Sequence, residues 1–450
     1  MVSVGQHENI EILSYSEVEE VAGYVGNFKV KVRKKARYVN EDLCTGCGLC
    51  QEKCPAKKIP SEFDAGLGMR TAIYIPFAQA VPRVPVIDKE HCRYFQTGKC
   101  RVCEKLCPPG AVDFEQEDEI LELDVGTIIV ATGFDLFDCS RTTQYGYGRL
   151  DNVLDSVQFE RMINSSGPTG GKVLLTDGRE PESVAILHCI GSRDARYNRY
   201  CSQICCMYSL KFSHLVMEET NARVYHFYID LRAVGKGYEE FYERLQEEGA
   251  VFIRGKAAEV VPHDGHLLVK AEDSDLGKVV QIPVDMVILS AGLEPRHDAV
   301  EVARMFGLSR SADGFFLEKH PKLAPVETAS DGIFIAGTCQ GPKDVPATVA
   351  QAGAATSAAL AMMDQGKVTL QPYVAQIDLT RCSGCGDCVT VCPYDAIQLV
   401  EGHAKVDETA CKGCGVCVGQ CRANVITLSH FTDEELLAEM EGALRLLEVA

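Results

Sequence analysis

Two cysteine runs near the carboxyl end of the chain decide how its fold is interpreted: residues 381–393 read RCSGCGDCVTVCP, and residues 405–423 read KVDETACKGCGVCVGQCRA. Each run has the spacing C-x-x-C-x-x-C-x-x-x-C. Three thiolates two residues apart can surround one side of a [4Fe–4S] cluster, and the fourth cysteine of each run binds the cluster of the other run. The predicted ligand sets are Cys382, Cys385, Cys388 and Cys421 for one cluster, and Cys411, Cys414, Cys417 and Cys392 for the second.

A structural zinc ribbon is the alternative for these runs, because it also uses C-x-x-C pairs. Zinc needs four ligands, so two such pairs would be sufficient, and the third and fourth cysteines of each run would have no use. The spacing therefore favours a two-cluster ferredoxin-like domain over residues 371–430, followed by a C-terminal helix over 431–450.

The composition of the whole chain agrees with metal or redox chemistry. It has 22 cysteines among 450 residues, and thiols used heavily in a reducing compartment usually bind metal or do redox chemistry.

The first residues, MVSVGQHENIEIL, contain no charged segment followed by an apolar stretch, so a cytoplasmic location is expected. The net charge of −19 argues against a nucleic-acid partner. No apolar run approaches the roughly 18 residues of a membrane span.

A second cysteine cassette is predicted over residues 41–112. Its first run, EDLCTGCGLCQEKCP, has the same spacing, whereas seven residues separate the first two cysteines of its second run, so that this segment must loop out and return. His91 precedes the second run and is an alternative ligand. Cross-ligation predicts one cluster bound by Cys44, Cys47, Cys50 and Cys107, and another bound by Cys92, Cys100, Cys103 and Cys54.

The cysteine-poor body between the cassettes alternates apolar strands with helical segments. A long Ala-rich helix follows a strand and a glycine turn within 331–363, and another helix is predicted near 202–219. This βαβ order predicts an α/β fold with a parallel sheet flanked by helices. Short apolar strands are predicted in 122–137, 183–194, 221–230 and 283–297, and the first and last of these end on a glycine and are expected to be buried.

The order of these elements resembles flavoproteins of the thioredoxin-reductase type. In that family, backbone at positions matching the ATG of 131–133 and the AGT of 336–338 packs against the flavin. A helix that begins after Asp344 can also present N–H groups to an anion. The resemblance implies an FAD with contacts from Ala131, Thr132, Gly133, Gly337, Thr338, Lys343, Asp344 and Val345; an α/β domain without a cofactor is the alternative.

Direct chemistry on a nicotinamide is not expected, because no G-x-G-x-x-G follows any strand of the chain. Where the second nucleotide-type domain would carry that fingerprint, the sequence has Cys-Ile-Gly-Ser-Arg-Asp at 189–194. Cys139 and Cys339 have no partners by spacing and are expected to be ordinary core or turn residues. Four cysteines within 18 residues are sufficient for one further cluster, with buried thiols or a reactive disulfide as alternatives: Cys189, Cys201, Cys205 and Cys206.

The combination of a flavoprotein body, an inserted two-cluster ferredoxin, this C-x(11)-C-x-x-x-C-C element and a C-terminal two-cluster ferredoxin resembles the A-type subunits of heterodisulfide reductase and their bacterial relatives. The resemblance covers nearly the whole chain, including residues 10–50 and YCSQICCMYSLKF at 200–212. It implies FAD, several [4Fe–4S] clusters and flavin-based electron bifurcation. It also implies a cluster at Cys189, Cys201, Cys205 and Cys206 close to the flavin, and a catalytic position for Lys211 near the flavin ring. For Lys211, a solvated helix lysine is the alternative.

The same resemblance implies a hetero-oligomer. Its partners would be the B- and C-type subunits, a hydrogenase or formate dehydrogenase that delivers electrons, and ferredoxin, with the heterodisulfide site on one of those partners. Two other functions stay open: a passive polyferredoxin subunit without its own flavin, and a pyridine-nucleotide-linked flavoprotein like the small subunit of glutamate synthase.

The chain departs from this family at its N-terminus, where family members carry an extra domain and the G-x-G-x-x-G flavin fingerprint. The expectation is a thioredoxin-reductase-like FAD/NAD-type body that is truncated there, as the downstream part of a split gene or of a gene model stopped at a selenocysteine codon. The predicted domains are a remnant of flavin-domain strands at 1–40, the inserted ferredoxin at 41–112, the flavin domain at 113–175 and 281–370, the second nucleotide-type domain at 176–280, the C-terminal ferredoxin at 371–430 and the helix at 431–450.

Overall fold

The computed structural model describes residues 2–367, 372–394 and 396–448, with the backbone alone for 445–448. The predicted domain boundary at 370/371 lies outside the described residues. The α-helices are Val2–Gly5, Leu49–Lys53, Arg93–Thr97, Val102–Leu106, Ser156–Met162, Cys205–Glu219, Tyr238–Glu247, Ala299–Met305, Val345–Gln365, Asp387–Val391, Val416–Gln420 and Asp433–Glu448. The strands are Ser16–Tyr24, Asn27–Lys34, Ile59–Pro60, Met69–Arg70, Ile73–Tyr74, Val86–Ile87, Glu119–Val125, Ile128–Val130, Asp135–Leu136, Val153–Asp155, Ser183–Ile190, Arg223–Tyr228, Val251–Arg254, Ala257–His263, His266–Asp273, Lys278–Val284, Met286–Ala291, Leu293–Glu294, Ile333–Ile335, Ala375–Ile377, Ile397–Val400, His403–Val406 and Ile426–Leu428.

A five-stranded parallel sheet forms the centre of the body. Its two innermost strands, SVAILHCI and MVILSA, are buried along almost their whole length. Such continuous apolar runs are needed when both faces of a parallel sheet are covered. The prediction of an α/β fold is confirmed, with the sheet order Val153–Asp155, Met286–Ala291, Ser183–Ile190, Arg223–Tyr228 and Val251–Arg254.

Two different layers cover this sheet. On one face, Phe159 of a short helix packs edge-on against Phe212 of helix Cys205–Glu219, with ring centroids 4.9 Å apart. On the other face, the antiparallel sheet of residues 257–284 contributes Val260 and Val269 to the core. The helix Cys205–Glu219 follows the central strand directly, so its first residues lie at the carboxyl edge of the sheet.

The inserted cysteine cassette interrupts a separate antiparallel sheet. Strand Asn27–Lys34 pairs on one side with Ser16–Tyr24 and on the other with Glu119–Val125. The cassette therefore occupies the connection between two hydrogen-bonded neighbours, Asn27–Lys34 and Glu119–Val125. It has its own core, built around Val39, Ile73 and Ala111, and contacts the core of the central sheet through Leu67.

The segment 122–137 does not form the single buried strand that its sequence predicts. It divides at Gly126, whose carbonyl accepts a hydrogen bond from the backbone N–H of Gly26 at 2.8 Å. The second part, Ile128–Val130, pairs in parallel with Ile333–Ile335. Ile129 is 41% exposed, so the expectation of a buried strand is wrong on that face.

The C-terminal cysteine domain has two halves that repeat one plan. In each half, a glycine in the left-handed region, Gly386 at φ +80° and Gly415 at φ +75°, precedes a five-residue helix that carries the third cysteine of the run. A side chain would strain that backbone conformation. The long helix Val345–Gln365 precedes this domain in the chain.

No helix within the described residues is both long and apolar enough to cross a membrane.

Candidate functional site

The C-terminal domain contains two cavities, and each is lined by three cysteines of one run and one cysteine of the other. The first is lined by Cys382, Cys385, Cys388 and Cys421. The second is lined by Cys411, Cys414, Cys417 and Cys392. These are the two sets that cross-ligation predicts from the sequence. Their role as ligands stays a prediction, but the fold brings together the groups that it requires.

The inserted domain repeats this arrangement. A small cavity is lined by Cys54, Cys92, Cys100 and Cys103 together with apolar side chains such as Ile73 and Ile87. The seven residues between Cys92 and Cys100 include the one-turn helix Arg93–Thr97, which is followed by Gly98 as its C-cap. Phe95 of that helix packs against Tyr38 and Phe114, which explains how the stretched run can return to the same cavity.

The other predicted group of cysteines in the inserted domain lies around Cys50. The pKa of the Cys50 thiol is raised to about 11, mainly by burial and to a smaller extent by the nearby thiols of Cys44, Cys107 and Cys47. The three neighbours of Cys50 are thus the other members of its predicted ligand set. His91, the alternative ligand, is about half exposed, and its Nδ1 lies 2.8 Å from a carboxylate oxygen of Asp88.

Backbone N–H groups point at the sulfur atoms in both domains. The amide of Ala111 lies 3.3 Å from Sγ of Cys107, and the amide of Ala396 lies 3.3 Å from Sγ of Cys392. Each pair has the same sequence separation of four residues, so the two domains provide equivalent donors. Hydrogen bonds to sulfur tune the reduction potential of an iron–sulfur cluster, and these donors fit that chemistry.

Within the described ranges 2–367, 372–394 and 396–448, no three His, Cys, Asp or Glu side chains are close enough to bind one metal ion. A [4Fe–4S] cubane places iron and sulfide atoms between its thiolates, so its ligands stand farther apart than the ligands of a single zinc ion. Burial raises the pKa of Cys103 to about 12 and of Cys417 to about 11. Metal binding requires such cysteines in the thiolate form and is therefore coupled to loss of their protons.

The fifth group of cysteines lies at the carboxyl edge of the central sheet. Cys189 is the penultimate residue of the central strand, and Cys205 and Cys206 are the first residues of the helix that follows. Burial raises the pKa of Cys189 to about 11, and the nearby thiols of Cys206 and Cys201 act in the same direction. The four cysteines are therefore neighbours, with the N-terminus of a helix that favours negative charge.

The backbone around this fifth group is held in conformations that non-glycine residues rarely adopt. Cys189 has φ +58°, Arg193 has φ +53° and Gln203 has φ +60°. The N–H of Gln203 donates to Sγ of Cys201 over 3.3 Å. Such strain persists where the surrounding structure imposes it, and it is concentrated at functional sites. It supports a bound group here over ordinary buried thiols.

The two remaining cysteines are both buried in the core, as their lack of spacing partners predicts. Sγ of Cys139 lies 3.7 Å from the carbonyl oxygen of Phe137, and Sγ of Cys339 lies 3.4 Å from that of Val130. Neither lines one of the three cysteine cavities.

The predicted flavin contacts lie at the ends of two paired strands. The ATG of 131–133 follows Ile128–Val130 and the AGT of 336–338 follows Ile333–Ile335, so both glycine turns lie at the same edge. Gly133 and Gly337 have φ of +82° and +79°. Close approach of a ring system to this backbone is therefore compatible with the local geometry.

Lys343, Asp344 and Val345 shape the start of the long helix. Lys343 Nζ donates to the carbonyl oxygens of Gly337 and Gly341 at 2.8 and 3.0 Å, and burial lowers its pKa. Asp344 caps the helix by accepting from the N–H of Ala347 at 2.8 Å. Val345 is 75% exposed. The structure places the three residues beside the AGT turn, and their contact with FAD stays a prediction.

Gln351 contributes to this turn and was not predicted from the sequence. Its Oε1 accepts from the N–H of Gly337 at 2.8 Å, which holds the AGT turn against the helix. It is the only long polar side chain between residues 345 and 358, and that signal could have identified it.

Lys211 lies on helix Cys205–Glu219, and its Nζ is 2.5 Å from Oε2 of Glu160. Both side chains are nearly half exposed. This arrangement is compatible with the alternative of a solvated helix lysine, and a catalytic role for Lys211 stays a prediction.

Known proteins match the chain over most of its length. The 4Fe-4S dicluster domain model matches residues 375–422, and the 4Fe-4S binding domain model matches residues 37–57. The A-type subunit of the H(2):CoB-CoM heterodisulfide,ferredoxin reductase of Methanothermobacter thermautotrophicus is 50% identical over 449 residues, covering 99% of this chain and 67% of that protein. The A-type subunit of the H(2)/formate:CoB-CoM heterodisulfide,ferredoxin reductase of Methanococcus maripaludis is 47% identical over 454 residues, covering 99% and 68%. Among solved structures, thioredoxin reductase of T. acidophilum is similar with a TM-score of 0.36 and 14% identity, covering 55% of this chain and 69% of that one.

Proposed function

The chain belongs to the family of A-type heterodisulfide reductase subunits, and we propose that it carries electrons between the partners of a heterodisulfide-reductase-type complex. It is an oxidoreductase subunit with iron–sulfur domains. The observation that supports the proposal most directly is that twelve cysteines line three cavities in sets of four, and each set is drawn from two separate sequence runs. Eight further cysteines, around Cys50 and Cys189, make up the two other predicted groups.

We propose that these groups hold five [4Fe–4S] clusters and that the ATG and AGT turns bind FAD. When bound, such clusters exchange single electrons, whereas a flavin exchanges one or two. The contribution of this chain is to place the groups, to direct N–H donors at the sulfurs, and to bury the sites in apolar surroundings. These are the features through which a protein tunes reduction potential.

The names of the relatives suggest where the electrons come from and go to. We propose that a hydrogenase or formate dehydrogenase delivers electron pairs to the complex, and that each pair is divided between ferredoxin and disulfide-reducing B- and C-type subunits. The heterodisulfide itself is proposed to react on a partner, because Cys189, Cys205 and Cys206 of the fifth group are buried. Sγ of Cys205 lies against the carbonyl of Ala291, and Sγ of Cys206 against the carbonyl of Asp230.

A passive electron-wiring subunit without flavin is the second candidate function. It is favoured by one observation: within the described residues, the sheet that carries the ATG and AGT turns has only two strands, and Ile129 and Val345 beside them are exposed. All five cysteine groups are equally compatible with this function.

Iron and flavin content of anaerobically purified protein tests both candidates. We expect about twenty iron atoms per chain, four for each group of cysteines. About sixteen would remove the cluster proposed at Cys189, Cys201, Cys205 and Cys206. Flavin released by acid and measured by fluorescence is expected at one per chain, and its absence would leave the passive function. Failure of NADPH to reduce the protein in a stopped-flow experiment is expected as well, since the nucleotide fingerprint is missing.

A further inference from the structure

A basic surface surrounds the carboxyl edge of the central sheet, although the chain as a whole is strongly acidic. Three segments meet there: RDARYNR at 193–199, RAVGK at 232–236 and RGK at 254–256. Together they contain seven basic residues and one acidic residue, whereas the whole chain has 45 basic and 64 acidic residues. We propose that this surface, called here the basic edge, is the docking site of an acidic protein electron carrier.

The three segments are joined by ion pairs. Asp230 lies 2.6 Å from Arg193 and 3.7 Å from Arg254, so that one carboxylate is shared by two guanidinium groups. Asp194 is likewise shared by Arg196 and Lys256, at 2.9 and 2.8 Å. Asp275 also lies 3.7 Å from Arg254. The seven basic residues of the three segments therefore face three carboxylates, Asp194, Asp230 and Asp275, and the remaining charge is positive.

Three further cations of the basic edge are available to a partner. Arg199, Arg232 and Lys236 are exposed, and among the described residues none of them forms an ion pair. Val234, between Arg232 and Lys236, is 85% exposed. An apolar residue inside a charged rim is the usual arrangement of a protein–protein interface.

The basic edge lies directly above the fifth group of cysteines. Sγ of Cys206 is 3.9 Å from the carbonyl oxygen of Asp230, and the backbone N–H of Arg232 also points at this sulfur. The loop that carries Arg232 and Lys236 is therefore in direct contact with Cys206 of this group. A carrier that docks here comes closer to this cysteine group than a carrier docked on the opposite, amino edge of the sheet.

A compact acidic protein fits this surface better than a nucleic acid or a nucleotide. An extended polyanion would reach beyond the basic edge and be repelled by the rest of the chain, whose net charge is −19. A small acidic protein would contact the basic edge alone and be attracted by its positive charge. The strand that ends at the basic edge continues as CIGSRD in place of the glycine fingerprint of a dinucleotide site. In the proposed step, one electron leaves the reduced chain and enters the oxidised carrier, which is thereby reduced; no proton is transferred and no bond is formed or broken. The inference rests on the proposed electron-transfer function.

Charge reversal at the basic edge tests this inference. The full chain, purified anaerobically, is titrated calorimetrically with an oxidised acidic two-[4Fe–4S] ferredoxin at about 20 mM and about 300 mM salt, because screening weakens contacts between exposed charges. The double variant Arg232→Glu/Lys236→Glu is expected to raise Kd about tenfold or more at low salt, and much less at high salt.

The matched control is Arg179→Glu/Arg223→Glu, which reverses the same number of charges at the amino edge of the same sheet, where Arg223 begins its strand. It is expected to leave Kd within about twofold, and thermal unfolding establishes that both doubles are folded. An equal loss in the two doubles would overturn the inference, as would tighter binding of a short DNA duplex than of ferredoxin. Iron content reports the proposed function separately: clusters without ferredoxin binding contradict only the docking site, and ferredoxin binding without clusters contradicts only the function.

Discussion

Replacing Cys385 and Cys392 together by serine is expected to remove about eight iron atoms per chain, whereas replacing Cys385 and Cys421 together removes about four. Cys385 and Cys392 belong to one sequence run but line different cavities, so both C-terminal clusters lose a ligand. Cys385 and Cys421 belong to different runs but line the same cavity, so only one cluster is affected. If each run bound its own cluster, the two results would be exchanged.

Iron analysis of anaerobically purified protein gives the count, and electron paramagnetic resonance identifies clusters that survive in a three-iron form. Cys139→Ala is the control, because Cys139 is buried without contributing to any of the five groups, and its iron content should equal that of the unchanged protein. Equal iron losses in the two double variants would contradict cross-ligation between the runs.

Gly191→Ala is expected to destabilise the body by about 3 kcal/mol or more and to abolish the cluster proposed at Cys189. A Cβ at Gly191 would lie 2.1 Å from Cγ of Phe137, and the residue has φ +74°. The Phe137 ring is 1% exposed and packs edge-on against Tyr197 at 5.1 Å, so it has no space to move. Because Gly191 follows Cys189 by two residues, a shift of this turn displaces the cysteine.

The matched control for Gly191 is Gly178→Ala. Gly178 has φ +87°, but a Cβ there meets nothing within 4 Å, so the variant isolates the backbone cost of about 1 kcal/mol. Thermal unfolding followed by circular dichroism, with iron analysis, distinguishes the two. Gly191→Ala should keep about sixteen iron atoms, since the two ferredoxin-like domains have separate cores. A fully loaded and equally stable Gly191→Ala protein would contradict this account.

The parts of the fold that the sequence predicted well are those in which a pattern is local. Strand SVAILHCI and the helix after it are visible from an apolar run and from helical periodicity. Pairing across the insertion was not predictable in this way. Asn27–Lys34 meets Glu119–Val125 after 84 intervening residues, and only the closed antiparallel sheet decides that register.

In the candidate site, too, local patterns were predictable from the sequence, whereas contacts between distant residues were not. Lys211 was assigned from resemblance alone, and the salt bridge to Glu160 comes from a helix 51 residues earlier in the chain. Gln351 reaches the AGT turn only because helix Val345–Gln365 packs beside strand Ile333–Ile335. Contacts between side chains that are distant in sequence depend on packing, and no local spacing encodes them.

The sequence by itself determined the metal chemistry of this protein. Thiolate spacing of two and three residues sets which cysteines can surround one face of a cluster, and that requirement is local. Only the tertiary structure decided that the basic segments 193–199, 232–236 and 254–256 form one surface beside Cys206. The physical reason is that parallel strands bring their carboxyl ends to one edge, where residues far apart in sequence share one electrostatic field.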